Sequence, residues 1–297
     1  MSVRYLLGSW VLILLFCHGS TYLPVVMWHG MGDSCCNPSS LGYIKKLIEN
    51  EHNGTYVYSI MIGSSVISDT ESGFFKNVND QIDETCRKIK ADPLLADGYH
   101  AVGFSQGGLF IRGLAQRCPD PPMKNLVSIG GPQQGVFGVP PCPAEGSKLC
   151  EYFRKILHTA AYASWIQNTL VQAEFWHDSI DIEDYKRGSV FLADINQENA
   201  INESYRSNLQ QLEKLVMVMF LQDIIIIPKE SAWFGFYAPG QDQKLQTLQE
   251  SSLYQEDRLG LKIMDRAGRL QFHAVDGQHL HFTDKWFLDT IVGPYFN

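Results

Sequence analysis

Basic residues are scarce in this sequence: over 297 residues, 24 Lys and Arg face 32 Asp and Glu, a formal net charge of -8. Such an excess of acid disfavours nucleic acid and anionic membrane surfaces as partners, because both recruit clustered positive charge. Long apolar runs are missing too. The N-terminal run from Val11 to Cys17 is shorter than the roughly 20 residues that cross a bilayer, and nothing later in the chain is long enough. There are no internal repeats, low-complexity tracts or proline-rich linkers, and a content of 45% apolar and 19% charged residues is a globular balance. Also absent is any cluster of cysteine, histidine and carboxylate at zinc-like spacing. His279 and His281 could share one strand face, but no such cluster supports a metal there, so neither metal nor organic cofactor is expected.

What is present begins with an apolar run behind a single positive charge, Arg4, and ahead of the small residues Gly19 and Ser20, the layout of a secretory signal peptide. Residues 1–20 are therefore set apart as a signal, with one large domain expected over 21–297 and no transmembrane anchor once the signal is removed. Its removal takes Arg4 and Cys17, so the charge moves from -8 to -9. The cysteines that remain are Cys35, Cys36, Cys86, Cys118, Cys142 and Cys150, an even number in an oxidising compartment, and disulfides are expected without spacing deciding their pairing. Asn53 in "NGT" and Asn202 in "NES" match the glycan acceptor pattern, whereas Pro38 excludes Asn37.

Short branched apolar runs alternate with amphipathic helix-length segments, the rhythm of a mostly parallel α/β sheet with helices on both faces. Strands are expected at 23–28, 56–62, 100–104 and 125–129, and a helical core stripe at Phe75, Val78, Ile82, Cys86 and Ile89. The rhythm breaks from about Val139 to Arg206, read as an inserted helical cap. It returns in "LVMVMFLQDIIIIP" and "LQFHAVDG", and the chain closes on the helix-like "TDKWFLDTIV".

The stretch "GFSQG", residues 103–107, joins an apolar strand to a helix with almost no loop. It fits G-x-S-x-G, the nucleophile elbow of the α/β-hydrolase fold: side chains two before and two after the serine would collide, hence Gly103 and Gly107. Ser105 is the candidate nucleophile. A hydroxyl at its ordinary pKa needs a base and an acid that orients the base, in the chain order Ser, Asp/Glu, His. His279, in the stretch between the last apolar strand and the last helix, is the candidate base, with His281 and His273 as competitors. Asp223, directly after "LVMVMFLQ", is the candidate acid, with Glu230 second. The backbone N–H groups of Met31, after the first strand, and Gln106, after the serine, are the candidate oxyanion donors.

These residues resemble a known family, the palmitoyl-protein thioesterases. "WHGMGDSCCNP", "GFSQGG", "QRCP", "GGPQQGVFG", "VQAEFWHD", "FLADINQE", "INESY", "WFGFY" and "LYQEDRLGLK" are similar to its signature segments, in the same order along nearly the whole mature chain. The resemblance implies the same triad, Ser105, Asp223 and His279, and the same donors, Met31 and Gln106. It also implies disulfides pairing Cys35 with Cys36, Cys86 with Cys118, and Cys142 with Cys150. The adjacent pair, just after Met31, would stiffen the oxyanion loop. Two positions depart from the family's pattern: Ile227 stands where it has an acid before Pro228, and Gln133 where it has a histidine. Both bear on the shape and polarity of the substrate groove.

The expected activity is removal of long-chain acyl groups, chiefly palmitate, from S-acylated cysteines of proteins or peptides, in the lysosome or after secretion. An apolar acyl groove is expected in the insert, with Trp165, Phe175 and Trp176 as wall candidates. A lipase acting on oxyesters is the rival enzyme. A catalytically dead binding module is the rival of another class, disfavoured because all three triad positions are filled.

Overall fold

The computed structural model describes residues 22–138 and 155–297. The signal segment, Cys142 and Cys150 lie outside them, as does the start of the insert.

The strands are β1 (Val25–Trp28), β2 (Val57–Ser59), β3 (Tyr99–Phe104), β4 (Met123–Ile129), β5 (Lys214–Phe220), β6 (Phe236–Tyr237), β7 (Leu245–Gln246) and β8 (Leu270–Val275). Six of them form one sheet in the order β2-β1-β3-β4-β5-β8, and every neighbouring pair is parallel. The other two, β6 and β7, make a small antiparallel pair. This is the α/β fold expected, and its strands read as continuous apolar runs because both faces of the sheet are covered. Alternate residues enter opposite cores: Val26, Trp28, Ala101, Leu126, Leu215 and Met217 face one, while Val25, Met27, Val102, Val127, Val216 and Val218 face the other.

Helices α1 (Leu41–Glu51), α2 (Val66–Phe75), α3 (Val78–Ala91) and α4 (Gln106–Arg117) follow β1, β2 and β3 in turn. The second core is closed by Leu41, Ile44 and Ile48 of α1 and by Phe287, Ile291 and Val292 near the C-terminus. The first is closed by α3, α4 and the segment between β4 and β5. That segment contains the short helices Ser164–Gln167, Val171–Glu174, Ile182–Gly188, Leu192–Ile195 and Glu203–Leu209. Because it lies over α4, every residue of α4 from Gln106 to Gln116 is buried, an all-round burial that an ordinary surface helix does not show.

The stripe expected to run from Phe75 to Ile89 is broken. α2 ends at Phe75, and Lys76 and Asn77 are extended before α3 begins, with the Asn77 side chain accepting the Asn79 N–H. The change of axis turns Phe75 outward to 58% exposure, while Val78, Ile82 and Ile89 remain in the core. A disulfide between Cys86 of α3 and Cys118 at the end of α4 ties the two helices together.

Phe110 of α4 sits where sheet and insert meet, with its ring centroid 5.5 Å from Trp28, 6.5 Å from Phe175 and 6.0 Å from Phe191. Phe110→Ala is expected to cost about 3–5 kcal/mol by opening a cavity among these rings. Exposed Phe75→Ser is expected to cost under about 0.5 kcal/mol. Urea unfolding midpoints of the two variants test the contrast.

Candidate functional site

In a parallel sheet all the carboxyl ends of the strands lie on one edge, and a crevice opens where successive connections leave in opposite directions. Here β1 lies between β2 and β3, so the chain moves to one side after β1 and returns on the other after β2. His29 to Met31 follow β1 and Ser105 follows β3 at that point. Asp223 and His279 follow β5 and β8 on the same edge.

Ser105 has φ 54° and ψ -128°, a strained conformation for a residue with a side chain. It is held by its own N–H to the Ile129 carbonyl at 2.8 Å and by the Gly108 N–H to its carbonyl at 2.9 Å. The flanking glycines are needed for contact reasons. A β-carbon at Gly103 would lie 2.3 Å from the Gly107 carbonyl oxygen, and one at Gly107 would lie 2.5 Å from the carbonyl oxygens of Trp28 and His29.

His279 Nε2 is 2.9 Å from Ser105 Oγ, and its Nδ1 is 2.6 Å from Asp223 Oδ2. The Asp223 side chain is 3% exposed, and its other oxygen accepts the N–H groups of Ile225 at 2.8 Å and Ile226 at 3.0 Å, so its orientation is fixed. Gly130, with φ 64°, lets the ring approach: a β-carbon there would meet His279 Cε1 at 3.2 Å. The structure thus brings together the three residues expected to act together. The competitors are elsewhere: His273 Nε2 is 2.9 Å from the Tyr295 hydroxyl, His281 is exposed, and Glu230 sits at the small β6–β7 unit, where its main-chain carbonyl accepts the Gly235 N–H.

The loop after β1 lies against the serine, with a β-carbon at Gly30 only 3.1 Å from Ser105 Cβ. Met31 follows it, and Gln106 opens α4, where an N–H has no carbonyl one turn back to bond. Gln106 is thus the residue after Ser105, and Met31 the residue after the glycine that lies against it. The Gln106 side chain is anchored by Nε2 to the Gly73 carbonyl at 3.0 Å. The disulfide between Cys35 and Cys36 is present just beyond Met31.

Of the three candidates for the acyl groove, Trp176 is 1% exposed, with rings of Phe137 and His158 at 5.4 and 5.1 Å. Phe175 is 6% exposed against Phe110, whereas Trp165 is 64% exposed. Ile227 backs onto Gly138 and its carbonyl accepts the Phe137 N–H at 2.8 Å. Gln133 does not face a groove. It is fully buried behind the elbow, where its Oε1 accepts Arg112 Nε at 2.7 Å and its Nε2 donates to Ser128 Oγ at 2.8 Å. Both sequon asparagines are exposed, although Thr55 of the first sequon is buried, and Asn202 Oδ1 also caps the following helix through the N–H groups of Ser204 and Tyr205. Among the described residues, no group of three or more His, Cys, Asp or Glu could hold a metal ion.

Sequence reasoning missed a buried pair behind the loop. His29 and Asp69 are 2% and 0% exposed, with His29 Nε2 3.1 Å from Asp69 Oδ1 and His29 Nδ1 2.8 Å from the Gly30 carbonyl. Asp69 also accepts the N–H groups of Ile62 at 2.6 Å and Cys35 at 2.7 Å. In sequence Asp69 is an unremarked acid in a polar helix. The signal within reach was His29, a polar residue directly after a buried strand.

Gly107→Ala is expected to abolish activity, because the new methyl group would press on two backbone carbonyls that cannot give way. Asp223→Asn is expected to keep the fold and lower kcat by about 10⁴. Circular dichroism alongside ester hydrolysis separates the two outcomes.

Comparison with known proteins finds relatives over most of the chain's length. A family model described as palmitoyl protein thioesterase matches residues 24–279. The chain is 48% identical over 281 residues to Palmitoyl-protein thioesterase 1 of Caenorhabditis elegans, covering 95% of this chain and 94% of that one. It is 36% identical over 274 residues to Palmitoyl-protein thioesterase 3 of Dictyostelium discoideum, covering 92% and 89%. It is 27% identical over 283 residues to the lysosomal thioesterase PPT2 of Homo sapiens, covering 89% and 87%.

Proposed function

The chain belongs to the palmitoyl protein thioesterase family, and from that premise we propose that it removes palmitate and similar long acyl groups from cysteine thioesters of lipid-modified proteins or peptides. It is a thioesterase of the α/β-hydrolase class. The observation that carries the residue assignment is His279, within hydrogen-bond reach of both the Ser105 hydroxyl and the Asp223 carboxylate.

Ser105 Oγ attacks the acyl carbonyl carbon as His279 Nε2 takes the hydroxyl proton. Asp223 holds Nδ1–H, which fixes the tautomer and stabilises the imidazolium once it forms. The carbonyl oxygen gains negative charge and is met by the N–H groups of Met31 and Gln106. The C–S bond then breaks, and the proton on His279 passes to the leaving cysteine sulfur. A thiolate leaves readily because its conjugate acid has a pKa of about 8.5, so this step asks less of the acid than departure of an alkoxide. Water, deprotonated by His279, releases the fatty acid and restores Ser105. No metal or organic cofactor takes part in these steps.

The acyl chain needs an apolar trough next to Ser105. Of the three insert aromatics only the exposed Trp165 is left to offer such a wall, because Phe175 and Trp176 are taken up in the core. A lysosomal or secreted location is supported by the signal-like N-terminus, the two exposed sequon asparagines, the disulfides and the lysosomal name of a relative. Among the described residues no helix is long and apolar enough to cross a membrane.

Purified mature protein is expected to cleave a palmitoyl-cysteine thioester well above the matching palmitate oxyester, and Ser105→Ala to abolish both. Equal or faster oxyester cleavage would make the protein a lipase. Activity surviving in the variant would remove Ser105 from the mechanism.

A further inference from the structure

The two ring nitrogens of His29 face acceptors only: Nδ1 the Gly30 carbonyl at 2.8 Å, and Nε2 an oxygen of Asp69 at 3.1 Å. A neutral imidazole has one N–H and would leave one of these buried contacts without a proton, so the geometry asks for the imidazolium. A buried imidazolium needs a partner carboxylate, which Asp69 supplies. Burial alone would lower the pKa of His29, but the hydrogen bond and charge of Asp69, together with the Gly30 carbonyl, outweigh it and leave the value raised.

The Gly30 carbonyl and the Met31 N–H are two ends of one peptide group. A cation bonded to the oxygen draws electrons through the amide, making the N–H at the other end a stronger donor, and fixes the plane in which that N–H points. The rest of the loop is pinned to the same carboxylate: Asp69 takes the Cys35 N–H at 2.7 Å, and the Asp33 N–H closes the turn onto the Gly30 carbonyl at 3.3 Å. α2 also holds the residue that carries the other donor, through Gln106 Nε2 and the Gly73 carbonyl.

We propose that His29, kept as an imidazolium by Asp69, is a positioning residue that aims and polarises the Gly30–Met31 peptide toward the oxyanion formed on the carbonyl attacked by Ser105. This rests on the assignment of Met31 as an oxyanion donor. The charged groups whose fields reach His29 are Asp69 on α2 and Asp33 on its own loop. Its ring lies beside Gly73 of α2 and the uncharged Gln106 side chain of α4, and its backbone carbonyl faces Gly107 of α4.

The sign of the pH dependence follows from this charge state. A histidine whose folded pKa is raised stabilises the fold in acid, and that contribution is lost as pH rises through the folded value. If the imidazolium supports turnover, kcat falls on the same alkaline limb. Asp69→Asn removes what raises the value and leaves burial, which lowers it, so the limb moves to lower pH.

The test compares wild type with Asp69→Asn on one ester that acylates Ser105, with kcat counted per serine titrated by a fluorophosphonate so that unfolded protein drops out. Expected are a kcat lower by at least about tenfold at neutral pH, KM within about twofold, and an alkaline limb displaced by about one pH unit or more toward acid. A variant that titrates fully and keeps both kcat and limb overturns the proposal. So does a loss confined to the number of titratable serines, which marks a structural role. If Asp69→Asn does not fold, nitrogen NMR of histidine-labelled wild type decides. One buried ring carrying two slowly exchanging N–H protons at pH 7 is expected, and its absence overturns the proposal. Failure of the thioester reading leaves this comparison intact, because any ester that acylates Ser105 serves; failure to label Ser105 with fluorophosphonate sinks the reading of the site itself.

Discussion

Backbone meets backbone where α4 crosses β1. At Gly107 the separation leaves no room for a β-carbon between the helix and the carbonyls of Trp28 and His29, and much of the site is set by that approach. The loop after β1 is brought against Ser105, the chain is forced through a conformation that non-glycine residues avoid, and α4 starts directly after that residue. The strain at Ser105 persists because the surroundings over-determine it. The Ile129 carbonyl holds its N–H from β4, and the insert buries α4 from the other side.

Two histidines lie near this contact in opposite electrostatic settings. His279 lies between a carboxylate and a hydroxyl, which can either give or accept, so its contacts do not require both ring nitrogens to be donors, as the base proposed for this site needs. His29 lies between a carboxylate and a carbonyl, both acceptors, and a ring so placed keeps both its protons. The same imidazole–carboxylate pairing therefore yields a proton carrier in one place and a fixed charge in the other, and the difference lies in the third partner. Arg112 shows a further solution. Fully buried in α4, it is met by the side chains of Gln133, Gln116 and Asn196 and by the carbonyls of Gln133 and Ile195, without a carboxylate. Burial lowers its pKa to about 9, and its five donors tie α4 to the turn after β4 and to the insert. The same network explains why Gln133 faces inward.

The insert links binding to the core. Its Phe175 and Phe191 complete the ring cluster around Phe110, Glu174 accepts the first N–H of α3 from Val78, and Gln172 reaches the Gly73 carbonyl of α2. A segment so joined to three helices is part of the fold. Its aromatic residues consequently divide between core and surface in a way that composition does not announce.

Local pattern alone located the parallel sheet, the elbow and its glycines, because strand and helix periods and the crowding of a tight turn are properties of a few consecutive residues. It also singled out Ser105, Asp223 and His279, which the fold brings within hydrogen-bond reach of one another, since each follows a strand that could be recognised from its own apolar run. The break between α2 and α3 was not legible: Phe75 continues the apolar spacing, and only the turn at Lys76 and Asn77 carries it outward. Nor was the pairing of His29 with Asp69, forty residues apart, or the inward turn of Gln133. Those depend on which helix packs against which loop, and a buried polar group takes its role from the partners that the tertiary fold brings within hydrogen-bond reach, which no local period encodes.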